Sequence, residues 1–401
     1  MGDKQSCKKI KEERTVFLSK GNEVYRIPSL FYDRDNKIFM AFAEQRSTTN
    51  DADAKHLVMK TGTLKEEEST GVRTIEWSEL KVVKEAHLDG HRPMNPCPVY
   101  EKTSKTLFLF FVCVKDGITE SWQRFWGSNK TRLCYITTKD GGQTWSSVTD
   151  LTHLPDINEW ATFAVGPGHG LQTESGKLII PTYAYASCST SYCCISCNCS
   201  VPHALALYSD DKGSSWKFGK MLETKSVECE IAEVSDDAGY NYIYCNARSE
   251  GGYRVEALDD GAGFKTLPSA RKLVETGKGC QGSVVSFPTV SEGATTDSSP
   301  NKWLLYTHPS DQSNRINLGV YLNKTPQDPN GWSKPWIINS GPSGYSDLAY
   351  IGDGWFACLM ECGVQKYTEQ IAYEVFHFSQ VEKGALQEKN CFCCVCSCVC
   401  F

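Results

Sequence analysis

TKDGGQTW at residues 138 to 145 and SDDKGSSW at residues 209 to 216 are two copies of one pattern, Ser/Thr-x-Asp-x-Gly-x-Ser/Thr-Trp. A third, eroded copy at 257 to 264, ALDDGAGF, keeps Asp259 and Gly261 and replaces the tryptophan with Phe264. An internal repeat dictates architecture, and separations of 71 and 48 residues are too long for one step of a solenoid. Short apolar runs flank each copy, so each reads as a turn inside a β-hairpin. The aspartate accepts neighbouring backbone N–H groups, the glycine supplies a positive φ, and the aromatic ring packs beneath. Such a box is structural and performs no chemistry.

Working outward, strand-like runs recur along the chain: KIFMAFAE (37 to 44), LFLFFVCV (107 to 114), KLIIPTYAY (177 to 185), NYIYCNAR (241 to 248), WLLYTH (303 to 308), LGVYL (318 to 322) and WFACLM (355 to 360). No run of helical period rivals them. A chain of 401 residues can bury a large core as one barrel or propeller, or as two domains. Many short strands with turn chemistry between them, and repeated boxes, favour an all-β propeller of four-stranded antiparallel blades. The formal charge of −6 provides no basic stripe, so nucleic acid is not an expected partner. Apolar runs reach only about eight residues, well short of the roughly 20 that a spanning helix needs.

Cysteine usage is uneven. Of 20 cysteines, five fall in 188 to 199 and six in the last eleven residues, while the others are scattered singly, as free core thiols are. The N-terminal MGDKQSCKKIKEER has no apolar stretch and does not read as a secretory signal, so the sequons at Asn129, Asn198 and Asn323 are expected to be silent.

Three arginines sit beside strand-like runs: Arg26 in VYRIPSL, Arg248 in CNARS and Arg315 in SNRINLGVYL. Singly, each reads as a solvated or ion-paired surface side chain. Brought to one point, three guanidinium groups make a planar clamp for a carboxylate.

With these arginines and boxes in order, the chain resembles the animal exo-α-sialidases. The resemblance rests also on AFAEQR (41 to 46), HRPMNPCP (91 to 98), FAVGPGH (163 to 169), ECEIAEV (228 to 234), GCQGSV (279 to 284) and GYSDL (344 to 348), and it runs from about residue 15 to about 380. DPNGWSKPWIINSGPSGYSDLAYIG (328 to 352) is similar to the plasma-membrane, ganglioside-cleaving branch. The resemblance implies a six-bladed propeller with its active site at the central mouth. With the basic residues before it and the cysteines after it, the chain divides into a basic segment over 1–14, the propeller over 15–385 and a Cys-rich tail over 386–401.

By the same resemblance, Arg26, Arg248 and Arg315 hold the substrate carboxylate. Because that carboxylate is attached to the anomeric carbon, a carboxylate nucleophile would approach an anion, and sialidases use a tyrosine instead. Tyr345 matches the nucleophile and Glu228 its base, with Glu230 and Glu233 as neighbouring alternatives. Strand alternation puts Glu228 and Glu230 on one face, so spacing alone does not separate them. Asp51 matches the acid that protonates the leaving sugar, with Asp53 two residues away. Arg46, Glu44, Asn95, Glu120, Tyr183, Tyr185 and Gln281 are implied to line the pocket. His91 and His169 are implied to be turn histidines rather than bases.

The implied activity is a metal-independent, cofactor-free retaining hydrolase acting on sialylated glycolipids, oligosaccharides and glycoproteins. The competing reading is a non-catalytic propeller that binds sialoglycans, which would need no nucleophile and base together. The tail CFCCVCSCVCF offers clustered thiols for S-acylation, while Cys-x-x-Cys at Cys194/Cys197 and Cys393/Cys396 would suit a metal only with histidines that are not nearby. Gly2 to Ser6 fits Met-Gly-x-x-x-Ser/Thr, with Cys7 next and Lys8, Lys9 and Lys11 beyond. Peripheral association with the plasma or an endolysosomal membrane is the expected location, and the cytoplasm is the alternative.

Overall fold

The structure is a computed structural model and describes residues 12–67, 69, 71–186, 201–236, 239–289 and 301–391. Gly2, Cys7 and their neighbours, the cysteine cluster at 188–199, residues 291–300 and the tail beyond Cys391 lie outside the described residues.

Consecutive strands pair as antiparallel meanders. The first sheet contains Val24–Asp33, Ile38–Arg46, Ala54–Glu66 and Arg73–Trp77, with Lys81–Val82 added to the third strand. The second is His91–Glu101, Thr106–Lys115, Thr131–Thr138 and Thr149–Asp150. The third runs Trp160–Val165, Leu178–Ala186, Pro202–Ser209 and Lys217–Phe218, with Leu171–Gln172 beside it. The fourth is Cys229–Ser235, Asn241–Ala247, Val255–Asp259 and Phe264–Thr266. The last sheet has seven strands, from Ser283–Pro288 through Gln370–His377 to the N-terminal strand Thr15–Leu18. Phe17 pairs with Ile371 there, so the two ends of the propeller chain close on each other and the edge is removed.

The expectation of six separate four-stranded sheets is therefore corrected: hydrogen bonding among the described residues gives five sheets, two of them four-stranded. The reason is the 17-residue strand Trp336–Gly352. Its first half pairs with Ile316–Asn323 and its second half with Trp355–Cys362, so one strand joins what would otherwise be two sheets.

All three boxes lie where expected, each joining the third and fourth strands of its sheet. Asp140 accepts the N–H groups of Gln143 (3.0 Å) and Thr144 (2.9 Å) and the Thr144 hydroxyl (2.6 Å). Asp211 does the same with the Ser215 N–H and hydroxyl, and Asp259 takes the N–H groups of Gly261 and Gly263. The Thr144 bonds hold the Asp140 carboxyl down at about 2. The aromatic residue then wedges against the preceding sheet. Trp145 meets Phe42 at 6.2 Å between ring centroids and Trp216 meets Phe110 at 4.7 Å. A fourth wedge was not visible as a box: Trp332, in the corresponding turn, packs 6.2 Å from Tyr244 and donates to Glu256 (2.8 Å). Its Asp328 stands one residue too close to the tryptophan to match the pattern.

Apolar clusters fill the spaces between neighbouring sheets, and the scattered cysteines, including Cys97, Cys134, Cys245 and Cys358, are buried free thiols there. Along the axis the inner strands pack on one another around polar groups. Glu230 and Asp347 are fully buried and share the Ser283 hydroxyl, at 2.8 and 2.9 Å. Two helices complete the described residues, Glu120–Trp126 and Phe378–Cys391. The second runs across the expected 385/386 boundary, so the tail begins inside a helix. No helix among the described residues is long and apolar enough to cross a membrane.

Candidate active site

Inner strands deliver the site, and two do so through matching irregularities. In Val24–Asp33 the pairing slips between Arg26 and Ser29, and in His91–Glu101 it slips between Met94 and Cys97. Each slip is a β-bulge at a residue before proline held at positive φ, Ile27 at 60° and Asn95 at 58°. Such backbone is costly for a β-branched residue and persists only where the surroundings over-determine it. Buried carboxylates supply that determination: Glu361 accepts the Ile27 N–H (2.9 Å) and Glu44 the Asn95 N–H (2.7 Å). Arg-Ile-Pro is thus a bulge that aims Arg26 inward.

The bulges open onto a cavity of about 710 Å³ at one end of the axis. It brings together Arg26, Arg248, Arg315, Glu228, Tyr345 and Asp51. Tyr345 donates its hydroxyl to Glu228, and Arg248 Nη1 donates to both, at 3.1 Å to Tyr345 Oη and 2.8 Å to Glu228 Oε2. Arg26 is held through Nε by Glu361 (2.6 Å), which also accepts the Tyr345 N–H (3.1 Å). Arg315 donates to the Gly279 carbonyl (2.8 Å) and reaches Tyr367 Oη (3.5 Å). The guanidinium carbons of Arg26 and Arg315 stand 5.6 and 5.3 Å from the Tyr345 ring centroid.

Burial opposes the charges of Arg26 and Arg248, but Glu361 and Glu228 outweigh it and hold both guanidinium groups above their ordinary range. Burial, reinforced by the Glu228 charge, holds the Tyr345 phenol well above its ordinary 10.0, although Arg248 and Arg315 pull the other way. The resting phenol is therefore neutral, with a carboxylate already placed to take its proton.

Two glycines in the motifs are set by close approach. A Cβ on Gly344 would stand 2.4 Å from Glu361 Oε2, and one on Gly279, at φ +89°, would stand 2.5 Å from Arg248 Nε.

At the rim, Asp51 opens the short turn Asp51–Asp53 with its side chain 73% exposed. Arg46 pairs with it, and Arg92 Nε donates to its carbonyl (3.2 Å). Asp53 instead accepts the Thr48 hydroxyl and does not line the cavity. Arg46, Asn95, Glu120, Tyr183 and Tyr185 line the cavity as expected. Glu44 and Gln281 do not, which corrects their expected placement. Glu44 is fully buried behind Arg46 (2.8 Å from Nε) and orients it. Gln281 lies below, bridging Glu230 (3.2 Å), Pro167 O (3.2 Å) and Ser346 O (3.0 Å). The resemblance assigned both to the pocket lining, and depth along the axis was not legible in either motif.

Glu230 and Glu233 separate from Glu228 by that same depth. Glu230 joins Asp347 and His169, whose Nδ1 is 2.7 Å from Asp347 Oδ1, while Glu233 meets Lys302 (3.2 Å) towards the far end. His169, Glu230 and Asp347 have ligand atoms within 4.8 Å of one another, the spacing a metal could use. Their oxygens are nevertheless taken by donors: Leu30 N (2.7 Å) on Asp347, Val284 N (3.0 Å) on Glu230, and Ser283 on both. Burial and then the Asp347 charge raise the Glu230 carboxyl well above its ordinary range. His91 Nδ1 meets the Asp89 carbonyl (2.9 Å) outside the cavity.

Sequence reasoning missed Arg92, Arg124, Tyr367 and above all Glu361. The signal for Glu361 was available: one carboxylate at the end of an otherwise apolar strand, WFACLMEC.

Comparison with known proteins agrees with this geometry. The BNR repeat-like domain family matches residues 36–358. Sialidase-3 of Homo sapiens is 44% identical over 391 residues, covering 89% of this chain and 90% of that protein. Sialidase-2 of Mus musculus is 41% identical over 384 residues, covering 92% and 96%. Among solved structures, the Hadza microbial sialidase Hz136 superposes with a TM-score of 0.70 at 17% identity, over 89% of this chain and 66% of that one, a likeness of fold. The arginine cluster, the tyrosine–glutamate pair and this ordered identity over nine-tenths of the chain have one explanation: the protein belongs to the animal sialidase family and is a glycoside hydrolase.

Proposed function

We propose that the protein is a retaining exo-α-sialidase with Tyr345 as nucleophile, releasing terminal sialic acid from gangliosides as well as from oligosaccharides and glycoproteins. The observation that carries this reading is the buried Tyr345 hydroxyl, donated to Glu228 beneath the guanidinium groups of Arg26, Arg248 and Arg315. The arginines take the carboxylate on the anomeric carbon. Tyr345 Oη attacks that carbon while Glu228 accepts its proton, and Asp51 protonates the departing oxygen. Asp51 then takes a proton from water, which attacks the same carbon. The Tyr345–carbon bond breaks, and the phenolate recovers its proton from Glu228. Two displacements leave the anomeric configuration unchanged. A neutral phenol suits the first step because it approaches the substrate carboxylate without a charge of its own. A sialoglycan-binding protein would have no use for that pairing.

In the same reading, Trp336–Gly352 serves as outer strand of one blade and inner strand of the next, which makes six blades from five sheets. Acyl chains on the cysteines from 391 onward would strengthen the hold of the enzyme on a membrane, and a chain lacking 391–401 would then be reduced in the membrane fraction.

Asp51→Asn tests the acid. Turnover of a sialyl-oligosaccharide is expected to fall about 10²- to 10⁴-fold. An aryl sialoside, whose phenolate leaves without a proton, should lose far less. Equal losses on both substrates would remove Asp51 from the acid role.

A further inference from the structure

The outer face of one helix at the cavity rim takes no part in this chemistry. The helix Glu120–Trp126 is capped by Thr119, whose hydroxyl accepts the Trp122 N–H (3.1 Å), and stopped by Gly127 at φ 58°. Its polar face turns inward: Glu120, Gln123 and Arg124 line the cavity, Gln123 accepts Lys130 N (2.6 Å) and the Thr131 hydroxyl (3.0 Å), and Arg124 lies 4.3 Å over the Tyr185 ring. Its other face is aromatic and turned to solvent. Phe125 is 69% exposed, Trp126 63% and Trp122 37%. Their rings touch one another, Phe125 on Trp126 at 5.0 Å and Trp122 on Trp126 at 6.4 Å. Apart from Tyr240, these are the most exposed aromatic side chains among the described residues, so the exposure is concentrated rather than scattered. A helix with its charged side packed inward and its aromatic side bare reverses the usual amphipathic order.

What would cover this face follows from its surroundings. It adjoins the mouth through which substrate must enter. Eight cationic and four carboxylate side chains line the cavity, and with Glu44 and Glu361 buried behind Arg46 and Arg26 a positive excess remains on a chain of net charge −6. Exposed Lys278 stands among them, as does Lys225, which pairs with Glu250 (2.7 Å). Tryptophan and phenylalanine beside cations are the composition that settles into the headgroup region of a bilayer, the rings in the acyl boundary and the charges at the anionic surface. We propose that Trp122, Phe125 and Trp126 form a lipid-docking face that seats the cavity mouth against a bilayer displaying sialylated glycolipid. The proposal rests on the sialidase reading of the same cavity and adds how a membrane-bound headgroup reaches it.

The experiment uses the full chain produced without acylation, and Phe125→Ser/Trp126→Ser, whose exposed side chains leave the packing unchanged. Flotation with phosphatidylcholine–phosphatidylserine vesicles measures docking. Sialic acid release is measured on a glycolipid embedded in those vesicles and on soluble sialyllactose. The variant is expected to lose flotation and to fall about ten-fold in kcat/KM on vesicles, with sialyllactose turnover unchanged. Equal flotation of the two proteins would overturn the proposal and leave the face to a protein partner or to another segment of this chain. Equal losses on vesicle and sialyllactose substrates would also overturn it, because the residues would then act on the pocket. If neither protein released sialic acid from sialyllactose, the sialidase reading would fail, and flotation would still decide the docking face.

Discussion

Tyr345→Phe is expected to lower kcat on a sialyl-oligosaccharide by about a thousand-fold or more, the loss that follows removal of a nucleophile acting within a unit. Folding should survive. The ring remains for Arg26 and Arg315 to face, and Glu228 keeps its 2.8 Å partner in Arg248. One buried hydroxyl with its hydrogen bonds contributes only about 1 kcal/mol net. Substrate affinity should change little, since the three arginines stay in place, so the loss belongs in kcat. Steady-state kinetics with an equilibrium measurement of analogue binding would separate the two. Turnover near wild type would show that the phenol does no covalent work, and lost binding would point to a collapsed pocket.

The second large effect is expected at Glu361, which touches no substrate. Its carboxylate is completely buried and holds Arg26 Nε at 2.6 Å, the strained Ile27 at 2.9 Å and the Tyr345 backbone at 3.1 Å. Glu361→Ala strands a buried guanidinium and two N–H groups, and removing one partner of a buried pair costs about 3–5 kcal/mol. Denaturant unfolding would read that loss. Glu361→Gln keeps an accepting oxygen without the charge and should fold. With Arg26 released from its aim, KM should rise by more than kcat falls, a split that simple destabilisation does not produce. A Gln variant with wild-type KM would remove Glu361 from the positioning of Arg26.

The fold was legible because its signals are local. An aspartate that satisfies its own turn and an aromatic residue five positions on recur where the third strand meets the fourth in three of the sheets, and two full copies sufficed to imply the arrangement. What was not legible depended on partners far away in sequence. Nothing within TPQDPNGWSK marks Trp332 as a wedge, because its ring is recognised by Tyr244. The sharing of Trp336–Gly352 by two neighbours depends on pairing, not on composition.

The site divided in the same way. Arg26, Arg248, Arg315, Glu228, Tyr345 and Asp51 stand in motifs, and all six reach one cavity. The resemblance assigned Glu44 and Gln281 to the pocket lining but carried no information on depth, so both were expected one layer too high. The Glu228/Glu230 ambiguity is resolved by neighbours: Tyr345 for the first, Ser283 and Asp347 for the second. Ile27 shows the limit most clearly. A β-branched residue before proline is expected to be extended, and only Glu361, 334 residues along the chain, holds it at positive φ.

Covalent capture by Tyr345 followed by hydrolysis is the central claim, and the anomer released first tests it most directly. Proton NMR during hydrolysis of an α-sialoside at high enzyme concentration would record that product before it mutarotates. Two displacements at one carbon require α-sialic acid to appear first and the β-anomer to grow in slowly behind it. Initial release of the β-anomer would mean a single displacement by water, and would contradict the assignment of Tyr345 as nucleophile.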